Sequence, residues 1–247
     1  MRGRTLAWDG CVNVRDLGGL PTDDGGETRF RAVVRADSVR QLSDVGWKAL
    51  VEYGVGCVID LRLHSELAVD PPRELPVDVV HVPVVPDLDA PDWQEIDEIR
   101  RRGDDVTATR DVYLELLERY NARFGEAVRA IAAAPPGPVL VHCLGGKDRT
   151  GLVVALVLRL AAVRPDAIAG DYALSGDCLA ATNAAWIAEA GSEEERELRR
   201  RICATPAESM HDVVRELDRR HGSAASYLRA AGVPDEELVR VRARLRG

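Results

Sequence analysis

Cysteine is scarce in this sequence. Its 247 residues include five cysteines, an odd number, and no two of them form a Cys-x-x-Cys pair. The cysteines stand at five widely separated positions: Cys11, Cys57, Cys143, Cys178 and Cys203. Such spacing excludes a disulfide framework and a cysteine-rich zinc site, and it predicts neither a metal nor another cofactor. We therefore expect a reducing compartment, in which a reactive thiol stays usable.

The sequence also lacks a long apolar run. Its first ten residues, MRGRTLAWDG, have no apolar core of the kind found in signal peptides. The longest apolar stretch, residues 152–163, is interrupted by Arg159 and is too short to span a bilayer. We therefore expect a cytoplasmic protein without stable membrane insertion, and the sequence leaves export without a signal peptide open.

Positive charge is in deficit. The chain has 33 Lys and Arg residues against 41 Asp and Glu residues, a formal net charge of −8. This balance does not attract nucleic acid or an anionic membrane over long range, so we expect no nucleic-acid partner. An anionic substrate would need a local positive site.

The chain has no low-complexity tract, internal repeat or Ser/Gly linker, so we expect one domain over residues 1–247. Four short Val-rich segments predict buried strands, at residues 31–35, 56–61, 78–84 and 138–142. Helical patterns alternate with them, one beginning at Ser43 and ending at Gly54. Later, Thr205 and Glu208 resemble a capping box. The sequence predicts an α/β fold: a central, mostly parallel sheet of about four to five strands flanked by helices, with an all-α carboxy-terminal region.

One segment carries the strongest chemical signal. Residues 142–151 read HCLGGKDRTG and join the last predicted strand to a helix that we expect to begin at Thr150. Between these elements the amides of residues 144–149 can curl round one centre and form a nest for a phosphate dianion. Gly145 and Gly146 permit the unusual dihedral angles and the close backbone approach that such a nest needs.

The side chains of the segment suit nucleophilic catalysis. The helix amino terminus and the Arg149 cation should lower the pKa of the Cys143 thiol from about 8.5 toward roughly 4–7. Arg149 offers a planar fork of donors for two phosphoryl oxygens. The Thr150 hydroxyl can donate to the thiolate or to the departing thiol. We expect the His142 ring to hydrogen-bond the loop backbone.

This segment resembles the signature loop of the protein tyrosine phosphatase superfamily. Five further segments resemble its bacterial atypical branch of mycobacterial type: residues 13–19 (NVRDLGG), 35–37 (RAD), 58–62 (VIDLR), 171–175 (DYALS) and 221–228 (HGS…YL). The resemblance implies a phosphatase that forms a cysteinyl-phosphate intermediate, with Cys143 as nucleophile and with residues 144–147 and Thr150 binding the phosphoryl group. Relatives carry a mobile helical lid between the third and fourth strands, which implies a lid-like helical insertion at about residues 87–134.

The general acid is left open between two aspartates. No Trp-Pro-Asp tripeptide, the usual mark of the acid in tyrosine phosphatases, occurs in the sequence. Asp148 lies inside the loop, and the resemblance favours it as the acid, although it could instead orient Arg149. Asp87 follows the third predicted strand, much as the acid does in dual-specificity phosphatases, or it is a solvated carboxylate. Asp60 ends a buried strand and is expected to brace the loop.

Lys147 bears on the substrate. A second cation in the loop can meet additional phosphate groups, and Lys at this position resembles the phosphatase-and-tensin-type lipid phosphatases. The alternative is a solvated lysine beside Asp148. Phosphotyrosine in proteins is thus the expected substrate, with phosphoserine, phosphothreonine and phosphoinositides as further candidates. A rhodanese-like sulfurtransferase and a phospho-ligand binding module without turnover are the alternative functions.

Overall fold

The computed structural model describes residues 3–69 and 77–247. In this part of the chain five strands form one sheet in the order β1-β2-β5-β3-β4. Only β1 is antiparallel to its neighbour, and the other pairs are parallel. The strands are β1 (Arg15–Asp16), β2 (Val33–Ala36), β3 (Cys57–Asp60), β4 (Asp78–His81) and β5 (Val139–His142). The predicted α/β class with a mostly parallel sheet is confirmed.

Twelve α-helices surround this sheet within the described residues. The first six in chain order lie between the strands or directly after the last strand: α1 (Asp44–Tyr53), α2 (His64–Val69), α3 (Asp92–Arg100), α4 (Asp105–Arg119), α5 (Asn121–Ala133) and α6 (Asp148–Leu160). The other six form the predicted all-α region: α7 (Pro165–Cys178), α8 (Ala180–Ala188), α9 (Glu193–Cys203), α10 (Ala207–His221), α11 (Ala224–Ala230) and α12 (Asp235–Arg246). None of the helices in residues 3–69 and 77–247 is long and apolar enough to cross a bilayer.

Strands β2, β3 and β5 are buried on both faces, as their Val-rich sequences predict. The prediction is wrong for β4, which lies at the edge of the sheet and is mostly exposed. On one face Val33, Ile59 and Val141 join the main core, whereas on the other Val34 and the alternate residues of β3 and β5 join a smaller core with α1. The period-two alternation of side chains along each strand causes this division. Helices therefore cover the sheet on two sides.

The register of the parallel strands places their carboxyl ends together. Ala36 of β2 and Asp60 of β3 both lie opposite His142 of β5. The chain leaves the central strand β5 at Cys143 and enters α6, whose residues from Leu152 to Leu158 are almost all buried. The loop thus starts at the carboxyl edge of the sheet, where α/β proteins commonly bind ligands.

Several predicted boundaries differ from the structure for local reasons. Strand β2 begins at Val33 rather than at residue 31, because Arg31 has a positive φ of 59° and donates its amide to Asp16. Strand β4 ends at His81 rather than at residue 84, since Pro83 has no amide for the ladder. Helix α6 begins two residues before the predicted Thr150.

Two further features were not predicted correctly. The strand β1 was missed because its two residues, Arg and Asp, carry no apolar pattern. The capping box at Thr205 is wrong: the residue before α10 is Pro206, and the Thr205 hydroxyl donates to the carbonyl of Ala173 at 3.4 Å instead.

The predicted helical insertion is divided into α3, α4 and α5. Tyr113 and Leu117 of α4 and Phe124 of α5 are buried in the main core, and Ile96 of α3 is fully buried. Packing of this kind ties the insertion to the body of the protein. Motion of the segment as a lid stays a prediction.

Candidate active site

The loop between β5 and α6 runs from a buried nucleophile to the first turn of a helix. Cys143 is 2% exposed, and Asp148 and Arg149 already belong to α6. The loop is open to solvent on one side, where the Leu144 side chain is 50% exposed. Cys143 therefore lies beneath a short rim of loop residues.

Donors on the strand side of the loop bind its carbonyl oxygens. Three such hydrogen bonds fix successive peptide units: Ser38 N to Leu144 O at 2.9 Å, Asn13 Nδ2 to Gly145 O at 2.9 Å, and Arg35 Nη2 to Gly146 O at 2.6 Å. Because a peptide carbonyl and the next amide point in opposite directions, these bonds turn the loop amides toward the interior of the loop.

The amides of the loop are not used by the rest of the protein. Within residues 3–69 and 77–247, no group accepts a hydrogen bond from the amides of residues 144–149. Gly146 has a φ of +65°, and a Cβ built on it would lie 2.2 Å from the carbonyl oxygen of Ala36. Only glycine fits this position, and the resulting curve leaves the amides free to surround an anion.

A buried ion cluster lies behind the loop. Asp171 of α7 accepts from three arginines, with Arg35 Nη1 at 2.8 Å and Arg15 Nε at 3.1 Å, and with Arg4 as the third. Burial alone would raise the pKa of Asp171, but the arginines outweigh it and hold that pKa well below its ordinary value. The cluster keeps Arg35 in place beneath Gly146.

Arg35 is the member of this cluster that touches the loop. Burial and the neighbouring Arg15 lower the pKa of Arg35 to about 10, so it remains a cation at neutral pH. The sequence marked Arg35 and Asp171 only as family positions and gave them no role. Their contact spans 136 residues, a separation that no local motif reveals.

Arg149 is held by a partner that sequence reasoning missed. Its Nη1 and Nη2 bind Glu66 Oε2 at 2.5 Å and Oε1 at 2.8 Å, a bidentate pair. Glu66 also accepts from the Leu63 amide at 2.6 Å, which anchors it in the first turn of α2. Burial would lower the pKa of Arg149, but Cys143 and Glu66 outweigh it and hold that pKa above its ordinary value.

His142 lies on the sheet side of the nucleophile and is fully buried. Its Nδ1 donates to the Cys143 carbonyl at 3.0 Å, and its Nε2 lies 3.6 Å from Asp60 Oδ1. Burial lowers the pKa of His142, although Asp60 opposes the shift, so the ring is neutral at pH 7. Asp60 itself binds the Arg62 guanidinium at 2.9 Å. The Nδ1 hydrogen bond holds the ring against the backbone at the start of the loop, and bracing of the loop by Asp60 stays a prediction.

Asp148 and Lys147 form the helix side of the site. Asp148 Oδ1 accepts from the Tyr113 hydroxyl at 2.5 Å and pairs with Lys147 Nζ at 3.2 Å. Burial raises the pKa of Asp148, but Lys147 and Tyr113 outweigh it and hold that pKa below its ordinary value. The carboxyl group is therefore ionised at neutral pH when the site is empty of substrate.

Lys147 is not the solvated side chain that one alternative expected. It is 8% exposed, and its Nζ donates to the carbonyl of Ile202 and, at 3.3 Å, to that of Ala204. Burial would lower the pKa of Lys147, but Asp148 outweighs it, so the pKa is raised. Lys147 thus ties the loop to the carboxyl end of α9.

Asp87 occupies a different place. Its Oδ1 accepts from the Ser65 amide at 2.8 Å and from the Ser65 hydroxyl at 2.6 Å, and these bonds lower the pKa of Asp87. It forms no hydrogen bond or ion pair with residues 142–150 among the described contacts. The geometry makes it a capping group of α2.

Thr150 and the cysteines outside the loop differ in what they can contribute to the site. The Thr150 hydroxyl is buried and has no partner among residues 3–69 and 77–247, so its proton is available inside the loop. Burial raises the pKa of Cys11, Cys57 and Cys203, which keeps these thiols protonated. No group of three His, Cys, Asp or Glu side chains in the described residues could hold a metal ion.

A thiol at the floor of an amide nest, faced by an arginine at a strand–helix junction, defines a class of phosphoryl-binding α/β proteins. The comparisons with known proteins agree with this class. The model of the tyrosine phosphatase family matches residues 6–247, so the chain belongs to the tyrosine phosphatase family. This membership confirms the predicted family and enzyme class, and it favours a phosphatase over a sulfurtransferase.

Two relatives are similar over most of the chain. The triple specificity protein phosphatase PtpB of Mycobacterium tuberculosis is 29% identical in an alignment that covers 96% of this chain and 98% of the relative. A tyrosine-protein phosphatase of Nostoc commune is 29% identical over 227 residues, which cover 87% of this chain and 74% of the relative.

Proposed function

We propose that this phosphatase hydrolyses phosphate monoesters in two steps through a phosphoryl group on Cys143. In the first step Cys143 Sγ attacks phosphorus and the bond to the leaving oxygen breaks. In the second step water attacks phosphorus, the S–P bond breaks, and phosphate leaves. The observation that carries this proposal is that the amides of residues 144–149, next to the buried Cys143 thiol, have no hydrogen-bond acceptor among the described residues.

Arg149 is proposed as the binding and transition-state residue. Its bidentate pair with Glu66 fixes the plane of the guanidinium and leaves further donors for phosphoryl oxygens. Equatorial charge that develops at phosphorus then meets a preorganised cation. The Thr150 hydroxyl has no hydrogen-bond partner among the described residues, and it is proposed to donate to Cys143 Sγ when the thiolate departs in the second step.

Asp148 is proposed as the general acid. It opens α6 next to Arg149, and its side chain is 44% exposed on the open side of the loop. A bound phosphoryl dianion raises the pKa of a nearby carboxyl group, so substrate binding favours the protonated form that catalysis needs. Asp87 is the weaker candidate because both hydrogen bonds of its side chain are with Ser65.

Protein phosphotyrosine is the proposed principal substrate, with phosphoserine, phosphothreonine and phosphoinositides as further substrates. The mycobacterial relative is named a triple specificity protein phosphatase, which supports a broad range of substrates. A second cation in the loop supports substrates with more than one phosphate. Lys147 Nζ would have to leave the carbonyls of Ile202 and Ala204 to meet a second phosphate. A cytoplasmic location stays a prediction.

The nucleophile is tested with Cys143→Ser on a panel of phosphotyrosine and phosphoserine peptides and a phosphoinositide. We expect turnover of every substrate to fall by on the order of a thousandfold or more. Phosphate binding, measured by calorimetry, should stay near the wild-type value because the amides and Arg149 remain. Turnover within about tenfold of wild type, a barrier change of about 1.4 kcal/mol, would contradict the covalent route.

A further inference from the structure

Two buried tyrosines extend from the helix side of the loop into the core. The Tyr113 hydroxyl lies 2.5 Å from Asp148 Oδ1 and 2.9 Å from the Tyr172 hydroxyl. Tyr113 is 3% exposed and Tyr172 is 1% exposed, and their rings meet edge to face at 5.9 Å. Because a carboxylate can only accept, Tyr113 donates to Asp148 and Tyr172 donates to Tyr113.

This chain of hydroxyls distinguishes the two oxygens of Asp148. Oδ1 accepts from Tyr113 and pairs with Lys147 Nζ at 3.2 Å. Oδ2 accepts no hydrogen bond from any group of residues 3–69 and 77–247. When Asp148 carries a proton, that proton therefore lies on Oδ2, the oxygen that is open to a ligand.

The tyrosine also acts on the charge of the carboxyl group. A hydrogen bond donated to a carboxylate stabilises the ionised form, and Tyr113 lowers the pKa of Asp148 together with Lys147. Burial and the neighbouring Asp148 hold the pKa of Tyr113 well above its ordinary value, so it stays a donor at any working pH.

We propose that Tyr113, held by Tyr172, is the positioning residue of the general acid: it binds Oδ1 and leaves Oδ2 to deliver the proton. The inference rests on the proposed role of Asp148. In the first step the Oδ2 proton passes to the leaving oxygen as the P–O bond breaks. The carboxylate that remains is stabilised by the Tyr113 hydroxyl, and in the second step Oδ2 takes a proton from the attacking water.

Other charged and titratable groups also face Asp148, and all of them remain when the Tyr113 hydroxyl is removed. They are Lys147 and Arg149 of the loop and helix start, Arg100 of α3, Asp105 of α4, Tyr172 of α7, and Arg201 and Cys203 of α9. A change of pH dependence in Tyr113→Phe is therefore due to the one hydroxyl.

The test is the pH dependence of kcat on an alkyl phosphate, whose poor leaving group makes the acid essential. The basic limb of this profile, where kcat falls as pH rises, reports loss of the acid's proton in the substrate complex. In Tyr113→Phe the basic limb should move to higher pH by about one unit, since one hydrogen bond to the carboxylate is lost. At its optimum the variant should be roughly threefold to thirtyfold slower, because the acid is less well oriented. Tyr172→Phe keeps the bond to Asp148 and should move the limb by less than half as much.

Two further variants distinguish a failure of the role proposed for Tyr113 from a failure of the assignment of Asp148 as the acid. Asp148→Asn should remove the basic limb and Asp87→Asn should retain it; a limb that persists in Asp148→Asn defeats the acid assignment itself. If Asp148→Asn removes the limb but Tyr113→Phe leaves it unmoved, Asp148 is the acid and the role of Tyr113 is overturned. A uniform loss of rate at every pH in Tyr113→Phe would likewise mean that Tyr113 only packs.

A second substitution, with an expected pH shift in the opposite direction, distinguishes the loss of the hydroxyl from a folding defect in Tyr113→Phe. Site-specific 3-fluorotyrosine at position 113 keeps the ring and strengthens the donor, so the basic limb should move to lower pH. Shifts of opposite direction in the two variants support the inference. A limb that stays in place with the fluorinated residue overturns it.

Discussion

The two sides of the catalytic loop are built differently. On the strand side, buried groups bind carbonyl oxygens, and Arg35 is fixed by the fully buried Asp171. On the helix side, Asp148 is 44% exposed and one of its oxygens accepts no hydrogen bond from the described residues. The strand side holds the shape of the loop, whereas the helix side leaves a titratable group accessible. If Asp148 is the acid, as proposed, proton transfer takes place on the side of the loop opposite to the side that holds its shape.

Removing the central carboxylate of the strand side should have the largest effect. Asp171→Asn leaves three arginines close together without their common anion, and breaking a buried ion pair costs about 3–5 kcal/mol of unfolding free energy. Urea unfolding measures this loss. Asp166→Asn on the same helix is the matched control, because its pair with Arg164 is exposed and contributes less than about 1 kcal/mol.

The pH dependence of stability sharpens the same comparison. The folded-state pKa of Asp171 lies below its unfolded value, so its contribution is present above about pH 4 and is lost as pH falls through the folded-state pKa. Wild type should therefore lose more stability than Asp171→Asn on acidification below about pH 4. Equal losses would mean that the cluster contributes nothing specific.

The sequence predicts those parts of the site whose residues are close together along the chain. Cys143, Asp148 and Arg149 are close in the sequence, so one motif contains them, and the Val-rich strands that flank the loop are visible as short apolar runs. The partners of these residues come from far away: Tyr113 is 35 residues from Asp148, and Glu66 is 83 residues from Arg149. Only the three-dimensional packing of α2 and α4 against the loop reveals them.

Burial of Lys147 could not be predicted for the same reason. Nothing near a lysine beside an aspartate in a loop indicates burial, so a solvated side chain was one of the two interpretations of the sequence. Its partners, the carbonyls of Ile202 and Ala204, end a helix that lies 55 and 57 residues later. The carboxyl end of a helix attracts a cation, and docking of α9 brings that end to the loop.

The next prediction concerns Glu66, the residue that holds Arg149. In Glu66→Gln the guanidinium loses its charged, bidentate partner, and we expect kcat/KM to fall roughly tenfold to a hundredfold, or about 1.4–2.7 kcal/mol. Steady-state kinetics on a phosphotyrosine peptide measures the fall. The control is Glu52→Gln, an exposed residue of α1, which should leave kcat/KM unchanged. A full rate in Glu66→Gln would show that Arg149 is held without Glu66.

The smallest expected effect is found by comparing the oxidation of the loop thiol with that of the other thiols. Peroxide should inactivate the enzyme reversibly, because a thiolate in an anion nest is readily oxidised, and phosphate in the loop should slow the loss. Burial keeps Cys11 and Cys203 protonated, so Cys11→Ser and Cys203→Ser should lose activity at the wild-type rate. Inactivation that is equally fast with saturating phosphate would place the damage outside the loop.

The most direct test of the account is to trap the intermediate. A phosphotyrosine peptide is mixed with enzyme, the reaction is quenched with denaturant within one turnover, and the digested protein is analysed by mass spectrometry. The account predicts one added phosphoryl group on the peptide that contains Cys143, and none in Cys143→Ser. A phosphoryl group on another residue, or turnover of the peptide by Cys143→Ser at near the wild-type rate, would contradict it.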